Sequence, residues 1–180
     1  IEDYSKVYNI PIGDSAIIGN PSAKVTIIKW TDFQCPYCKK ALPFLNELLN
    51  KYPNDVKLVI KNYPLRNHPQ ALPAAKYALA AQRQGAFKEM YYETYKRSKE
   101  LSSNSFLPLE IADQLGLDIH KLKADAKDPA IANIIHQEMK QLNNTGLRVA
   151  VPKFLINGKL PEGPRTINNW SKIIEEELRK

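Results

Sequence analysis

The stretch Val25-Thr26-Ile27-Ile28-Lys29-Trp30-Thr31, running directly into Asp32-Phe33-Gln34-Cys35-Pro36-Tyr37-Cys38, decides how the rest of the chain is read. The first seven residues are β-branched and largely apolar, which predicts a central strand, because such side chains fit a pleated surface buried against neighbours. Beyond Cys35 the apolar period changes. Leu42, Leu45 and Leu49 mark one stripe of a helix, and Lys51-Tyr52-Pro53-Asn54 stops it. Val56, Leu58 and Ile60 then share a face of a second strand, so 25–60 reads as strand–helix–strand with parallel pairing.

Cys35 and Cys38 therefore lie where a strand hands over to a helix. The unpaired N–H groups and the dipole at a helix start favour a thiolate over a thiol. Pro36 suits the first turn, where its missing N–H leaves nothing unsatisfied. Lys39 and Lys40 add positive potential, and Cys38, one turn inward, is expected to resolve a mixed disulfide formed at Cys35. These are the chain's two cysteines. A disulfide closing so short a loop constrains the unfolded chain by only roughly 2 kcal/mol, so the spacing suggests chemistry more than stapling. Structural zinc, the other use of a C-x-x-C pair, wants further ligands, and His68, His120 and His136 lack the spacing that would supply them. No metal and no bound cofactor are expected, because the sulfurs carry the electrons.

Working outward, the first twenty residues carry turn signals (Ile12-Gly13-Asp14, Gly19-Asn20-Pro21) and read as an arm with at most one short edge strand. After Pro64 the pattern becomes helical: the alanine-rich run 74–81, then Phe87 to Tyr95, Pro108 to Leu115 closed by Gly116, Asp118 to Ala126, and Pro129 to Leu142. Strand signals return over Val149 to Ile156 and meet the turn dipeptide Asn157-Gly158. Ile167, Trp170, Ile174 and Leu178 mark a last helix from about Arg165. The order β-α-β, helical block, β-β-α predicts an α/β fold in three segments: 1–65, a helical insertion over 66–142, and 143–180.

At 180 residues the chain fits one compact domain with an insertion. Lys plus Arg number 26 against 19 Asp plus Glu, a formal charge of +7, but the basic residues are scattered and no nucleic-acid motif accompanies them. No nucleic-acid partner is expected, while acidic partners or an anionic membrane surface stay open. No apolar run approaches the length of a membrane span.

Taken in order, these landmarks resemble the DsbA-like branch of the thioredoxin superfamily: Ile17-Ile18-Gly19-Asn20-Pro21, Asp32 through Cys38, Pro43 eight residues after Cys35, Tyr63-Pro64-Leu65, Val151-Pro152, and Phe154-Leu155-Ile156-Asn157-Gly158. The resemblance spans nearly the whole chain. It implies a thioredoxin-like fold with an inserted helical domain, and a thiol–disulfide oxidoreductase acting through Cys35 and Cys38. The leading expectation is a dithiol oxidase introducing disulfides into exported polypeptides. A disulfide isomerase or reductase of the same fold is the alternative, and a non-catalytic polypeptide binder, with Phe87, Tyr91, Tyr92 and Tyr95 lining its groove, is the reading from another class. The resemblance further implies a cis-proline at Pro152 facing the cysteines, with Pro36, Tyr37 and Val151 against substrate, and a helix kink at Pro43. The implied partners are reduced or misoxidised polypeptides, a redox partner protein for reoxidation or reduction, and a membrane redox partner. The implied location is the periplasm or another extracytoplasmic space, a leader being absent from this chain.

Two departures stand out. Lys29 occupies the position where members commonly carry a buried acid. By strand alternation it shares a face with Val25, Ile27 and Thr31, so it either approaches the sulfurs and tunes the redox centre or turns to solvent at an edge. Ala150-Val151 stands where members often have Gly-Thr, so a hydroxyl is lost. Cys35-Pro36-Tyr37-Cys38 also occurs in glutaredoxins, but no glutathione-binding constellation accompanies it and the helical insertion is too long. His68 reads as a surface or capping residue.

Overall fold

The computed structural model describes residues 2–180. Its elements are β1 Ala16–Gly19, β2 Val25–Thr31, α1 Pro36–Lys40, α2 Leu42–Lys51, β3 Val56–Asn62, α3 Ala71–Gln82, α4 Phe87–Lys96, α5 Leu107–Gln114, α6 Ile119–Ala126, α7 Pro129–Asn143, β4 Lys153–Ile156 and α8 Ile167–Leu178, with one 3-10 turn at Ser98–Glu100. The four strands lie in the order β1-β3-β2-β4. β2 and β3 pair in parallel, as the strand–helix–strand reading requires, and β1 and β4 close the two edges antiparallel.

β2 therefore has a neighbour on each side, and both of its faces are covered. Val25 and Ile27 pack with Val56, Leu58, Ile60 and Phe154 beneath the α1–α2 and α8 helices and the helical block. Ile28 and Trp30 point the other way, into a smaller cluster with Val59, Leu155, Tyr8, Leu142, Leu147 and Leu160. Two-sided burial explains the near-continuous apolar run at 25–31, which shows little of the alternation of a half-exposed strand.

On that second face the sheet is joined to α7 by polar groups. Trp30 Nε1 donates to the Glu138 carbonyl at 2.8 Å. The buried Glu138 carboxylate accepts from Ser15 Oγ at 2.6 Å and from the backbone and side-chain nitrogens of Asn62 at 3.0 and 2.9 Å. Lys61 Nζ donates to Ser15 Oγ and to the Pro11 carbonyl, both at 2.9 Å. Burial raises the Glu138 pKa against the pull of these hydrogen bonds, and burial lowers that of Lys61 to about 8. The first arm of the chain is thus tied down across the sheet. Its Tyr8 N–H donates to the Gly158 carbonyl at 2.7 Å.

The helix after the cysteines forms in two pieces that meet at Ala41, with Pro43 in the first turn of α2, where a proline costs no hydrogen bond. Helices α3 to α7 lie between β3 and β4 in the chain. Asp118 and Asp128 cap α6 and α7, accepting from Lys121 N and Ala130 N, which satisfies first-turn donors.

Two expectations fail at the C-terminal side. The strand expected over Val149 to Ile156 begins only at Lys153; Val149 is 44% exposed and 149–152 make no ladder. Pro152 has no N–H for a ladder, so pairing starts one residue beyond it. The second strand of the expected β-β pair does not form. Asn157 (φ 46°) and Gly158 (φ 83°) do turn the chain, but only an isolated Ile156–Lys159 bridge follows, and Pro161 and Pro164 withhold the next donors. The last helix starts at Ile167, capped by the Thr166 side chain. Among the described residues, no helix is long and apolar enough to cross a membrane.

Candidate active site

β2 delivers the chain into a tight loop at its C-terminal end, and Asp32 holds that loop's shape. Its carboxylate, fully enclosed, accepts from Gln34 N at 2.7 Å, Leu65 N at 2.8 Å and His68 Nδ1 at 2.9 Å. Its carbonyl accepts from Cys35 N at 3.1 Å. Gln34 Oε1 in turn accepts from Gln70 N at 2.8 Å, so the loop is fastened to 65–70, the segment leading into α3. The sequence assigns neither Asp32 nor His68 a role at the dithiol. An aspartate two residues before a loop residue is a common turn signal, but its partners Leu65 and His68 are distant in sequence. His68, read as a surface or capping residue, is half-buried and paired with this carboxylate.

Cys35 then occupies the N-cap of α1 (φ −79°, ψ 119°), with Pro36 in the first turn and no side-chain oxygen acting as cap. Cys35 is 7% exposed and Cys38 is fully buried. The Cys35 pKa is lowered to about 6, chiefly by a hydrogen bond from the Cys38 thiol and further by the N–H groups of Cys38 and Tyr37, against burial and the negative Asp32. The Cys38 thiol moves the opposite way, pushed far up by burial and then by its hydrogen bond to Cys35. One sulfur is thus held toward the thiolate near neutral pH, and the deeper one is held as a thiol.

The third element at the site is the approach to β4. The Val151–Pro152 peptide bond is cis. The Val151 carbonyl lies 3.8 Å from Cys35 Sγ, which brings Val151 and Pro152 against the nucleophile. Tyr37, 67% exposed, stands between the two cysteines in the chain. Residues 36, 37, 151 and 152 thus all lie beside Cys35, the first two next to it in the chain and the last two across from its sulfur.

Lys29 lies behind the cysteines and does not turn to solvent. Its exposure is 0%, because β2 is a central strand and offers no edge over which the side chain could snorkel. Nζ donates to the Cys38 carbonyl at 3.1 Å and to Tyr91 Oη at 2.8 Å, and it lies 5.4 and 5.0 Å from the ring centroids of Tyr91 and Tyr95. Burial lowers its pKa to about 8, with the Cys38 sulfur opposing, Arg165 adding to the fall and Cys35 opposing it.

Phe33 packs on Tyr95 and Tyr91 with centroids 4.8 and 5.8 Å apart, and Tyr95 Oη also meets Thr31 Oγ1 and the Asp32 carbonyl. Phe87, Tyr91 and Tyr95 are therefore core residues behind the dithiol, not the lining of an open groove. Tyr92 is half-buried and donates to Asn46 Oδ1. Among the described residues no group of three or more His, Cys, Asp or Glu is arranged to hold a metal.

A family model described as thioredoxin matches residues 12–176. The chain is 34% identical over 157 residues, 87% of its length, to a protein named Na(+)/H(+) antiporter NhaA 3 from Salinispora tropica, and 26% identical over 163 residues to one named Na(+)/H(+) antiporter NhaA from Herminiimonas arsenicoxydans. It spans about a quarter of the length of these curated relatives, 24% and 25%. Among solved structures it is similar to a thioredoxin-like oxidoreductase from Silicibacter pomeroyi, with 26% identity, a TM-score of 0.80 and coverage of 93% of this chain and 94% of that one. It shares its fold with oxidised BdbD from Bacillus subtilis (17% identity, TM-score 0.77, 97% and 98% covered). The same holds for the catalytic domain of ScsC from Proteus mirabilis (22%, 0.77, 97% and 93%).

Proposed function

Since this chain belongs to the thioredoxin family and has the DsbA-like form of its fold, with α3 to α7 placed between β3 and β4, we propose that it is a dithiol oxidase that passes its Cys35–Cys38 disulfide to exported polypeptides. The observation that carries the reading is the pairing of Cys35, an N-cap sulfur with a pKa near 6, with an enclosed Cys38. A stabilised thiolate makes the reduced site the comfortable state, so the disulfide is readily given up.

In the forward direction a substrate thiolate attacks Cys35, the Cys35–Cys38 bond breaks, and Cys38 leaves and is protonated. A second substrate thiol, as thiolate, then attacks the substrate sulfur of the mixed disulfide. The substrate leaves with its own disulfide, and two electrons remain on the enzyme as a Cys35 thiolate and a Cys38 thiol. Val151 and Pro152 flank an extended peptide at Cys35, with Pro36 and Tyr37 on its other side, and the cationic Lys29 favours the thiolate. Segment 66–142 is the inserted helical domain backing this site. A redox partner protein, at the membrane or free, restores the disulfide, and the setting is the periplasm or another extracytoplasmic space. Ion transport is not carried over from the antiporter names, which describe proteins about four times as long.

Equilibration with glutathione tests the proposal. A midpoint near about −120 mV is the oxidase result, and one near about −270 mV would replace it with a reductase. Cys35→Ser must abolish both exchange and oxidation of a reduced dithiol peptide. Activity surviving that change would leave polypeptide binding as the function.

A further inference from the structure

Lys29 is a buried base with no acid beside it. None of the ion pairs among the described residues includes it. The groups packed around its ammonium are Tyr91 and Tyr95 from α4, Cys38 from α1 and the Cys35 sulfur ahead of it, with Ile60 on β3 and Phe154 on β4 as cross-strand neighbours. Arg165, before α8, adds a second positive charge within electrostatic reach. Burial holds the phenols of Tyr91 and Tyr95 protonated, so among the described residues the two sulfurs are the groups near Nζ that can become its counter-ion, and they can do so only when reduced. With the disulfide formed, a charged Lys29 would be an unpaired ion in the protein interior, which is costly.

Its hydrogen bonds suit either charge state. The Cys38 carbonyl needs one N–H, which both the amine and the ammonium possess. Tyr91 Oη can accept from the ammonium or donate its proton to the neutral amine's lone pair. Both contacts of Nζ, to the Cys38 carbonyl and to Tyr91 Oη, thus persist when the proton is gained or lost.

We propose that Lys29 changes charge with the redox state, a neutral amine while Cys35 and Cys38 are joined and an ammonium once the site is reduced. The inference rests on the redox reading above and adds where its protons go. Two substrate thiols give up two electrons and two protons and become a disulfide. The Cys35–Cys38 bond breaks, one proton goes to Cys38, the other to Lys29, and Cys35 stays a thiolate. Mass and charge balance with no further reactant. Reoxidation runs the same step backwards and releases both protons.

Counting protons tests this. Glutathione thiols, with an ordinary pKa of about 8.5, give up two protons per disulfide formed when the pH is below that value. If the enzyme takes up two, its equilibrium constant with glutathione is nearly flat between about pH 6.5 and 7.5. Lys29→Met removes one acceptor, and Lys29→Arg, whose guanidinium stays charged in both states, removes the exchange without removing the cation. In both variants the constant is expected to rise about tenfold per pH unit, equivalent to about 30 mV. A wild-type constant that itself rises tenfold per pH unit would overturn the inference, whether or not the variants fold. Failure of the wild type to equilibrate with glutathione at all, or equilibration that persists in Cys35→Ser, would instead overturn the redox reading.

Discussion

Replacing Cys38 by alanine and by serine separates the sources of the Cys35 thiolate. The largest stabilising contribution in the structure is the hydrogen bond from the Cys38 thiol, ahead of the N–H groups at the helix start. Alanine removes that donor and serine keeps one. A hydrogen bond to a charged group is worth about 1.5–3 kcal/mol, and one pKa unit corresponds to about 1.36 kcal/mol. Cys38→Ala should therefore raise the Cys35 pKa from about 6 to between about 7 and 8. At pH 7 the thiolate fraction then falls from about nine-tenths to between about a half and a tenth. Cys38→Ser should stay within about half a unit of the wild type. Thiolate ultraviolet absorbance of the reduced proteins over pH reads this directly, and the rate of iodoacetamide alkylation should follow the same curve. If Cys38→Ala still titrates near 6, the helix start and not the partner thiol sets the pKa. If serine shifts it as far as alanine does, packing around the sulfur is responsible.

Glu138→Ala should lower stability by about 3–5 kcal/mol in urea unfolding, because it strips the partner from Asn62 and Ser15 and the counter-charge from Lys61. The Cys35 titration should not move, since Glu138 packs on the opposite face of the sheet; a loss under about 1 kcal/mol would contradict the account. Gly158→Ala should destabilise by about 2 kcal/mol or more, since the added Cβ falls 2.7 Å from the Tyr8 carbonyl oxygen at a φ of +83°. Unchanged melting would show that the arm yields easily. The reduced protein should gain stability relative to its unfolded state as pH rises from about 6 toward 9. The folded Cys35 pKa lies below its ordinary 9.0, so that contribution is fully present above the unfolded value and is lost as pH falls through the folded one. Cys35→Ser, measured alongside in reductant, should show a smaller rise; equal slopes would mean that other groups dominate.

Much of this architecture is legible from local signals. The β-branched run 25–31, the helical stripe of Leu42, Leu45 and Leu49, and the aspartates opening α6 and α7 each state their own conformation, and their order implies the parallel β2–β3 pair. What local pattern does not reveal is what lies opposite. Alternation assigned Lys29 a face but left open whether that face was an edge or an interior; the answer came from β4 and α4, more than sixty residues further along. Asp32 reads as an ordinary turn residue until Leu65 and His68 supply its partners. The apolar run from Val149 promises a longer strand than forms because Pro152 interrupts it, and Asn157-Gly158 turns the chain without a hairpin because Pro161 and Pro164 stand where its second strand would pair.

The distance in sequence between Lys29 and Tyr91 bears on the life of the chain before it is folded. The groups enclosing the dithiol come from β2, the 65–70 loop, α4 and the approach to β4, while those that lower the Cys35 pKa, the Cys38 thiol and the N–H groups opening α1, are set in place only when that short helix is held among them. Until then the two cysteines are ordinary thiols. At pH 7 a pKa of 9.0 leaves about one per cent as thiolate, roughly ninety-fold less than a pKa of about 6. An unfolded chain is in this way chemically quiet, and its sulfurs acquire their reactivity only with the surroundings that fold around them.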